Sequence, residues 1–142
     1  MTTRMTTSDE PRIFIAGPMS GYPHFNRAGF DEAAEFLRGR GWLVHSPVEA
    51  DVAMYGDKMF SSNGKGDIGQ AVEQFGFDYR DALAHGLSVL CKDCDAIYLL
   101  EGWINSKGAY AEYTTARALD LKIVVQGFYS SNFDDPIYMG DR

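Results

Sequence analysis

Two periods of hydrophobicity take turns along this 142-residue chain. Residues 12 to 16 (RIFIA) form a short apolar run that stops at Gly17-Pro18, the pattern of a buried strand entering a sharp loop. Over residues 27 to 40, Phe30, Ala33, Ala34 and Leu37 recur at helical spacing, and Gly39 and Gly41 mark a stop before a second strand, residues 42 to 45. Residues 47 to 67 are rich in Pro, Gly, Ser, Asn and Asp without clean periodicity, so they read as a long loop of the kind that often carries function. From Ile68 a stripe of Val72, Phe75, Tyr79, Leu83 and Leu90 predicts one helix to about residue 92, with Gly76 and Gly86 as places where it can bend or break. A third strand is predicted over residues 96 to 100, a loop over 101 to 106, a helix over 107 to 120 and a fourth strand over 122 to 125. Residues 126 to 142 are aromatic and loop-like.

Strands alternating with helices imply an α/β fold with a parallel sheet and right-handed crossovers. Ligands of such sheets bind beyond the carboxyl ends of the strands. The length suits one domain, residues 11 to 142, preceded by a polar tail over residues 1 to 10 that is expected to be disordered.

Composition narrows the function. A net charge of -7 argues against a protein that grips duplex nucleic acid, which needs clustered Lys and Arg. No apolar run approaches the roughly 18 residues of a membrane span, and Met1 to Glu10 is not a signal peptide, so a cytoplasmic location is expected. Cys91 and Cys94 have C-x-x-C spacing, but they close a helix, where the dipole opposes thiolate, and His24, His45 and His85 show no ligand spacing. Both thiols are therefore expected in the core, with no metal site.

Two strand-end loops stand out, residues 17 to 26 and 101 to 108, because both follow apolar strands and precede helices. A helix N-terminus offers unpaired N–H groups that can hold a phosphate or a sugar oxygen. Gly17 and Gly21 also satisfy plain turn geometry. Ser106 sits where an N-cap belongs, and the same position points a hydroxyl into the expected crevice. On a helical wheel Glu112 lies between Gly108, Ala109, Ala116 and Leu119, opposite Tyr110, Thr114 and Arg117. A carboxylate on that face is costly unless it is paired or used. In one continuous helix Asp78 flanks the apolar stripe and Asp81 points away from it. Asp95 stands at the strand end away from the crevice and reads as a turn partner, whereas Tyr55, Asp57 and Asp67 read as solvated or lid residues.

Taken together, I-F-I-A-G-P-M-S-G (13 to 21) with Asn26, S-P-V-E (46 to 49) and G-W-I-N-S-K-G-A-Y-A-E (102 to 112) resemble the nucleoside 2-deoxyribosyltransferase-like superfamily, in particular its small members from bacteria and bacteriophages. The resemblance spans about residues 12 to 125. It implies a flavodoxin-like or Rossmann-like three-layer sandwich with four to five parallel strands, a homodimer or larger assembly, and no metal or organic cofactor. It also implies a glutamate nucleophile, at Glu112 by spacing, with Asp81 or Asp78 as second acid. Phe14, Gly17, Pro18, Met19, Ser20, Gly21, Asn26, Gly102, Trp103, Ser106 and Gly108 are the substrate-binding residues it implies. The S-x-G-x-x-x-E spacing of Ser106, Gly108 and Glu112 is similar to that of nucleoside 5′-monophosphate N-glycosidases, in which the serine helps hold the phosphate. Phe14 stands where many relatives have tyrosine, and Gly86 and Leu87 stand where relatives place an aspartate. The expected substrate is a small-molecule nucleotide, hydrolysed at its base–sugar bond. A deoxyribosyltransferase, a non-catalytic nucleotide sensor and a dinucleotide glycohydrolase are the alternatives.

Overall fold

The computed structural model describes residues 10–127. Four strands, β1 (Arg12–Ala16), β2 (Leu43–His45), β3 (Ala96–Leu99) and β4 (Lys122–Val125), form one sheet in the order β2-β1-β3-β4. Every pair is parallel, with Ile13 beside Val44 on one side and Ala96 on the other. Both faces of such a sheet must be covered. That is why β1 and β3 are nearly all apolar, with Ile13 through Ala16 and Ala96 through Leu99 almost wholly inaccessible.

The period-two alternation of β1 sorts its side chains between two cores. Ile13 and Ile15 pack with Phe30, Ala34 and Leu37 of α1 (Arg27–Gly39). Phe14 and Ala16 pack on the other face with Leu90 of α5 (Tyr79–Asp93) and with Ala109, Tyr113 and Ala116 of α6 (Lys107–Ala118). The result is a three-layer α/β sandwich of flavodoxin-like or Rossmann-like type. Its chain reverses direction of travel between β1 and β3, since β1 leads outward to β2 and β3 outward to β4.

Two of the expected elements require correction. Residues 47 to 67 are not one loop, for they contain α2 (Pro47–Tyr55) and the single turn α3 (Lys58–Ser61). Ser46 caps α2 by accepting the Glu49 N–H, and Pro47 fills the first helical position, where a missing N–H costs nothing. The helix expected from Ile68 to about residue 92 is two helices, α4 (Ile68–Phe75) and α5. Gly76, at φ 70°, ends α4 in the left-handed conformation, and Asp78 then caps a new helix by accepting the Asp81 N–H at 3.1 Å. Gly86 does not interrupt α5.

Elsewhere Asp95 accepts the Arg12 N–H at 3.0 Å at the end of the sheet remote from the strand carboxyl ends. Cys94 is buried, but Cys91 is exposed, contrary to a core position for both thiols. Asp57 and Asp67 are exposed, as a solvated position requires, Asp57 also pairing with Arg27 at 2.8 Å and Asp67 also capping α4. No helix among the described residues is long and apolar enough to cross a membrane.

Candidate functional site

A cavity of about 530 Å³ opens at the carboxyl ends of the strands, within the range of roughly 300–1,000 Å³ usual for small-molecule sites. Its walls come from the loops after β1 and β3, from His45 at the end of β2, from α2, α4 and α5 with Met59 of α3, and from the first turns of α6. The reversal of chain direction between β1 and β3 makes this crevice, because the loops leaving those two strands part in opposite directions.

The loop after β1 supplies Gly17, Pro18, Met19 and Ser20. Gly17 is required by packing, since a β-carbon there would stand 2.8 Å from Leu100. Three successive residues, His24, Phe25 and Asn26, hold left-handed φ values of 50°, 57° and 62°. Such backbone is unfavourable by about 1–3 kcal/mol per residue and must be held from outside. Asn26 donates to the Pro18 carbonyl at 3.0 Å, the His24 N–H to the Asn63 carbonyl at 3.1 Å, and the Phe25 ring is buried edge-on against Phe60. Asn26 therefore braces this loop from behind and is not in the cavity wall, and neither is Gly21.

The loop after β3 closes the other side. Gly102, at φ 89°, approaches so near the β1 loop that a β-carbon would meet the Tyr22 hydroxyl at 2.7 Å. Trp103 turns inward, 7% exposed, against Tyr113, and serves the core rather than the cavity. Ser106 caps α6 by accepting the Ala109 N–H at 3.2 Å. That contact uses a lone pair and leaves its O–H to donate elsewhere, so the two roles open to Ser106 are compatible. Behind it the Lys107 and Gly108 N–H groups have no acceptor within the helix. Gly108 admits Tyr79, whose hydroxyl would lie 3.0 Å from a β-carbon at that position.

Glu112 lies one turn further along α6, facing the cavity and only 8% exposed. Among the described residues its carboxylate has no hydrogen-bond or ion-pair partner. Burial alone pushes its pKa up to about 8. It is therefore mainly a neutral acid near neutral pH.

The two aspartates offered as a second acid separate. Asp81 lines the cavity, and Asp78 does not, being the exposed cap of α5. The wheel placed them the other way round because it ran α4 and α5 as one helix. Phe14 is fully buried beneath the site, stacked at 5.1 Å on His45.

Three groups in the wall carry no assignment from the sequence. His45 ends β2, and its buried Nε2 has no partner. Desolvation first, and then the neighbouring His85, lower its pKa to about 4, so the ring is neutral. His85, on α5, faces it at 6.0 Å between ring centroids. Asp51, on α2, is 8% exposed and unpartnered, and burial raises its pKa to about 7. A signal for Asp51 was present: Ser46-Pro47-x-Glu49 is a helix-start pattern, and it puts Asp51 one turn after Pro47 and beside the core residue Val48. No cluster of His, Cys, Asp or Glu suited to a metal ion exists among the described residues.

These features define an open parallel α/β protein with a strand-end cavity holding two buried, unpartnered carboxyl groups. The chain belongs to the family described as a domain of unknown function, DUF4406, whose model matches residues 11–125. A search of curated proteins returns no match. Phe128, Tyr129, Phe133 and Tyr138, the aromatic residues on which an expected subunit interface rests, lie outside the described residues.

Proposed function

We propose that the cavity binds a nucleoside 5′-monophosphate and that the protein hydrolyses its N-glycosidic bond with Glu112 as nucleophile. The observation that carries this reading is a carboxyl group about nine-tenths buried, without a partner, in the wall of a strand-end cavity. An isolated carboxyl in that setting is expensive to keep, and perturbed titrating groups in clefts mark functional sites.

The 5′-phosphate lies at the start of α6, where the Lys107 and Gly108 N–H groups, the helix dipole and the Ser106 hydroxyl all favour an anion. Glu112, one turn in, is then beside the sugar. In the first step an ionised Glu112 oxygen bonds to the anomeric carbon as the carbon–nitrogen bond breaks, its electron pair going to the base. Asp81, the remaining aspartate in this wall of the cavity, supplies the proton to the leaving base. In the second step water attacks the glycosyl ester, Asp81 takes the water's proton, and Glu112 is released as carboxylate. Base and sugar 5-phosphate are the products, and no cofactor takes part.

A second reading has its own observation. A Glu112 held neutral can donate a hydrogen bond to a ligand without reacting, as a nucleotide sensor would require. The test for both is release of free base from a panel of canonical and modified nucleoside 5′-monophosphates, read by chromatography. Release by the parent protein and none by Glu112→Gln supports hydrolysis. Tight binding of a monophosphate with no release by either supports the sensor.

A further inference from the structure

The steps just described use only one end of the cavity. Its other end is built by α2, α4 and the segment entering α5, where Met54, Tyr55, Ile68 and Phe77 line the wall. The rings of Tyr55 and Phe77 meet edge-on at 5.4 Å. An apolar wall with aromatic faces suits a flat heterocycle and offers nothing to a phosphate. Asp51 is the acidic group set among these residues. Two arginines on neighbouring helix α1 are already engaged elsewhere: Arg38 grips both oxygens of Glu49 at 2.7 Å, and Arg27 bonds Asp31 and Asp57. A buried polar group without a partner calls for one from outside the chain.

We infer that Asp51 reads the edge of the base, pairing with a ring that carries a hydrogen-bond donor and acceptor side by side, while His45 borders the same ring. The inference rests on the nucleotide reading above and adds to it the part of the site that selects the base. A protonated carboxyl presents an O–H donor next to a carbonyl acceptor, the complement of an amino-substituted ring nitrogen or of a lactam. With its pKa raised to about 7 by burial, Asp51 has that form available near neutral pH. Asparagine presents the same donor and acceptor pair without titrating, and alanine presents neither.

The experiment is calorimetric titration of the full chain with the ribo- and deoxyribonucleoside 5′-monophosphates of the four common bases. The same titrations are made with an analogue of the tightest binder lacking its exocyclic amino or oxo group, and with ribose 5-phosphate. Parent protein, Asp51→Asn and Asp51→Ala are compared, each with a melting curve. The parent should prefer the intact base over the stripped analogue by about tenfold, the size of one buried hydrogen bond. Asp51→Asn should keep that preference, and Asp51→Ala should bind both equally while holding ribose 5-phosphate as the parent does. A preference that survives in folded Asp51→Ala overturns the inference and leaves the nucleotide reading standing, as does a folded Asp51→Asn that behaves like Asp51→Ala. A parent protein that binds none of the nucleotides overturns both.

Discussion

The Glu112 carboxylate reaches from α6 to the backbone of α5 at Gly86, where a β-carbon would stand 3.5 Å from its Oε2 and 3.5 Å from the Phe14 ring. That spacing is ordinary van der Waals contact, so one methyl group fits and nothing larger does. Gly86→Ala should melt no lower than the parent, because alanine gains roughly 0.5–1 kcal/mol over glycine inside a helix. It should also retain turnover. Gly86→Leu must displace Glu112 or Phe14 and should abolish base release. Melting curves beside base-release rates decide, and a fully active Gly86→Leu would remove the carboxylate from the reaction.

The two candidate aspartates give a paired prediction. Asp78 accepts the Asp81 N–H as the cap of α5, so Asp78→Ala should cost about 1 kcal/mol of stability and leave turnover per folded molecule unchanged. Asp81→Asn, in the cavity wall, should leave stability within about 0.5 kcal/mol and reduce kcat by roughly 10²–10⁴. The reverse pattern would restore the order that the wheel suggested.

That reversal shows where the sequence was legible. The strand–helix–strand units of residues 12 to 45 and 96 to 125 were readable because each apolar run ends at glycine, proline or a cap, and Glu112 was readable because α6 is one uninterrupted helix whose phase holds from Gly108 to Ala116. The phase of Asp78 and Asp81 was not readable, since Gly76 resets it and a glycine in a helical pattern does not announce whether it bends the helix or ends it. Asp51 was hidden for a different reason. Glu49, Ala50, Ala53 and Met54 of α2 are good helix formers, but the Gly, Ser, Asn and Asp of residues 56 to 67 dominate the stretch, and the start signal of Ser46 and Pro47 and the burial of Val48, Met59 and Phe60 are what separate two short helices within it. His45 was weighed only as a metal ligand, although its place at the carboxyl end of β2 already put it beside the crevice.

Ser106 has two roles that one substitution can separate. Ser106→Asp keeps an oxygen to accept the Ala109 N–H, and aspartate caps as well as serine does, so the melting curve should not fall. The added charge, however, faces the phosphate. Preference for a nucleoside 5′-monophosphate over its nucleoside should shrink or invert in Ser106→Asp, as read from kcat/KM on both. Ser106→Ala loses cap and donor together, and should lose about 0.5–2 kcal/mol of stability besides part of the preference. An unaltered preference in Ser106→Asp would move the phosphate away from α6.

The raised pKa of Glu112 couples turnover and stability to pH in opposite directions. Only the ionised Glu112 carboxylate can attack carbon, so in Asp81→Asn, where the proton donor no longer shapes the profile, the residual kcat/KM should climb about tenfold per pH unit at neutral pH and level off above about 8. Stability runs the other way. Between pH 4.5, the ordinary glutamate value, and about 8 the folded chain keeps a proton that the unfolded chain has released. Stability from this group is therefore complete below pH 4.5 and is lost as pH rises through about 8. Asp51 adds a loss of the same sign through about 7, while His45, lowered to about 4, is stabilising above its unfolded value of 6.5 and loses that as pH falls. Both remain in Glu112→Gln, so subtracting the parent's denaturation midpoints from those of the variant isolates Glu112. The two proteins should be equally stable near pH 4, where glutamate and glutamine are both neutral, and the variant should become the more stable one as pH approaches 9. At every pH it should release no base. A variant less stable than the parent at pH 9 would mean that the folded chain favours the ionised carboxylate through a partner, and Glu112 would then be a structural residue.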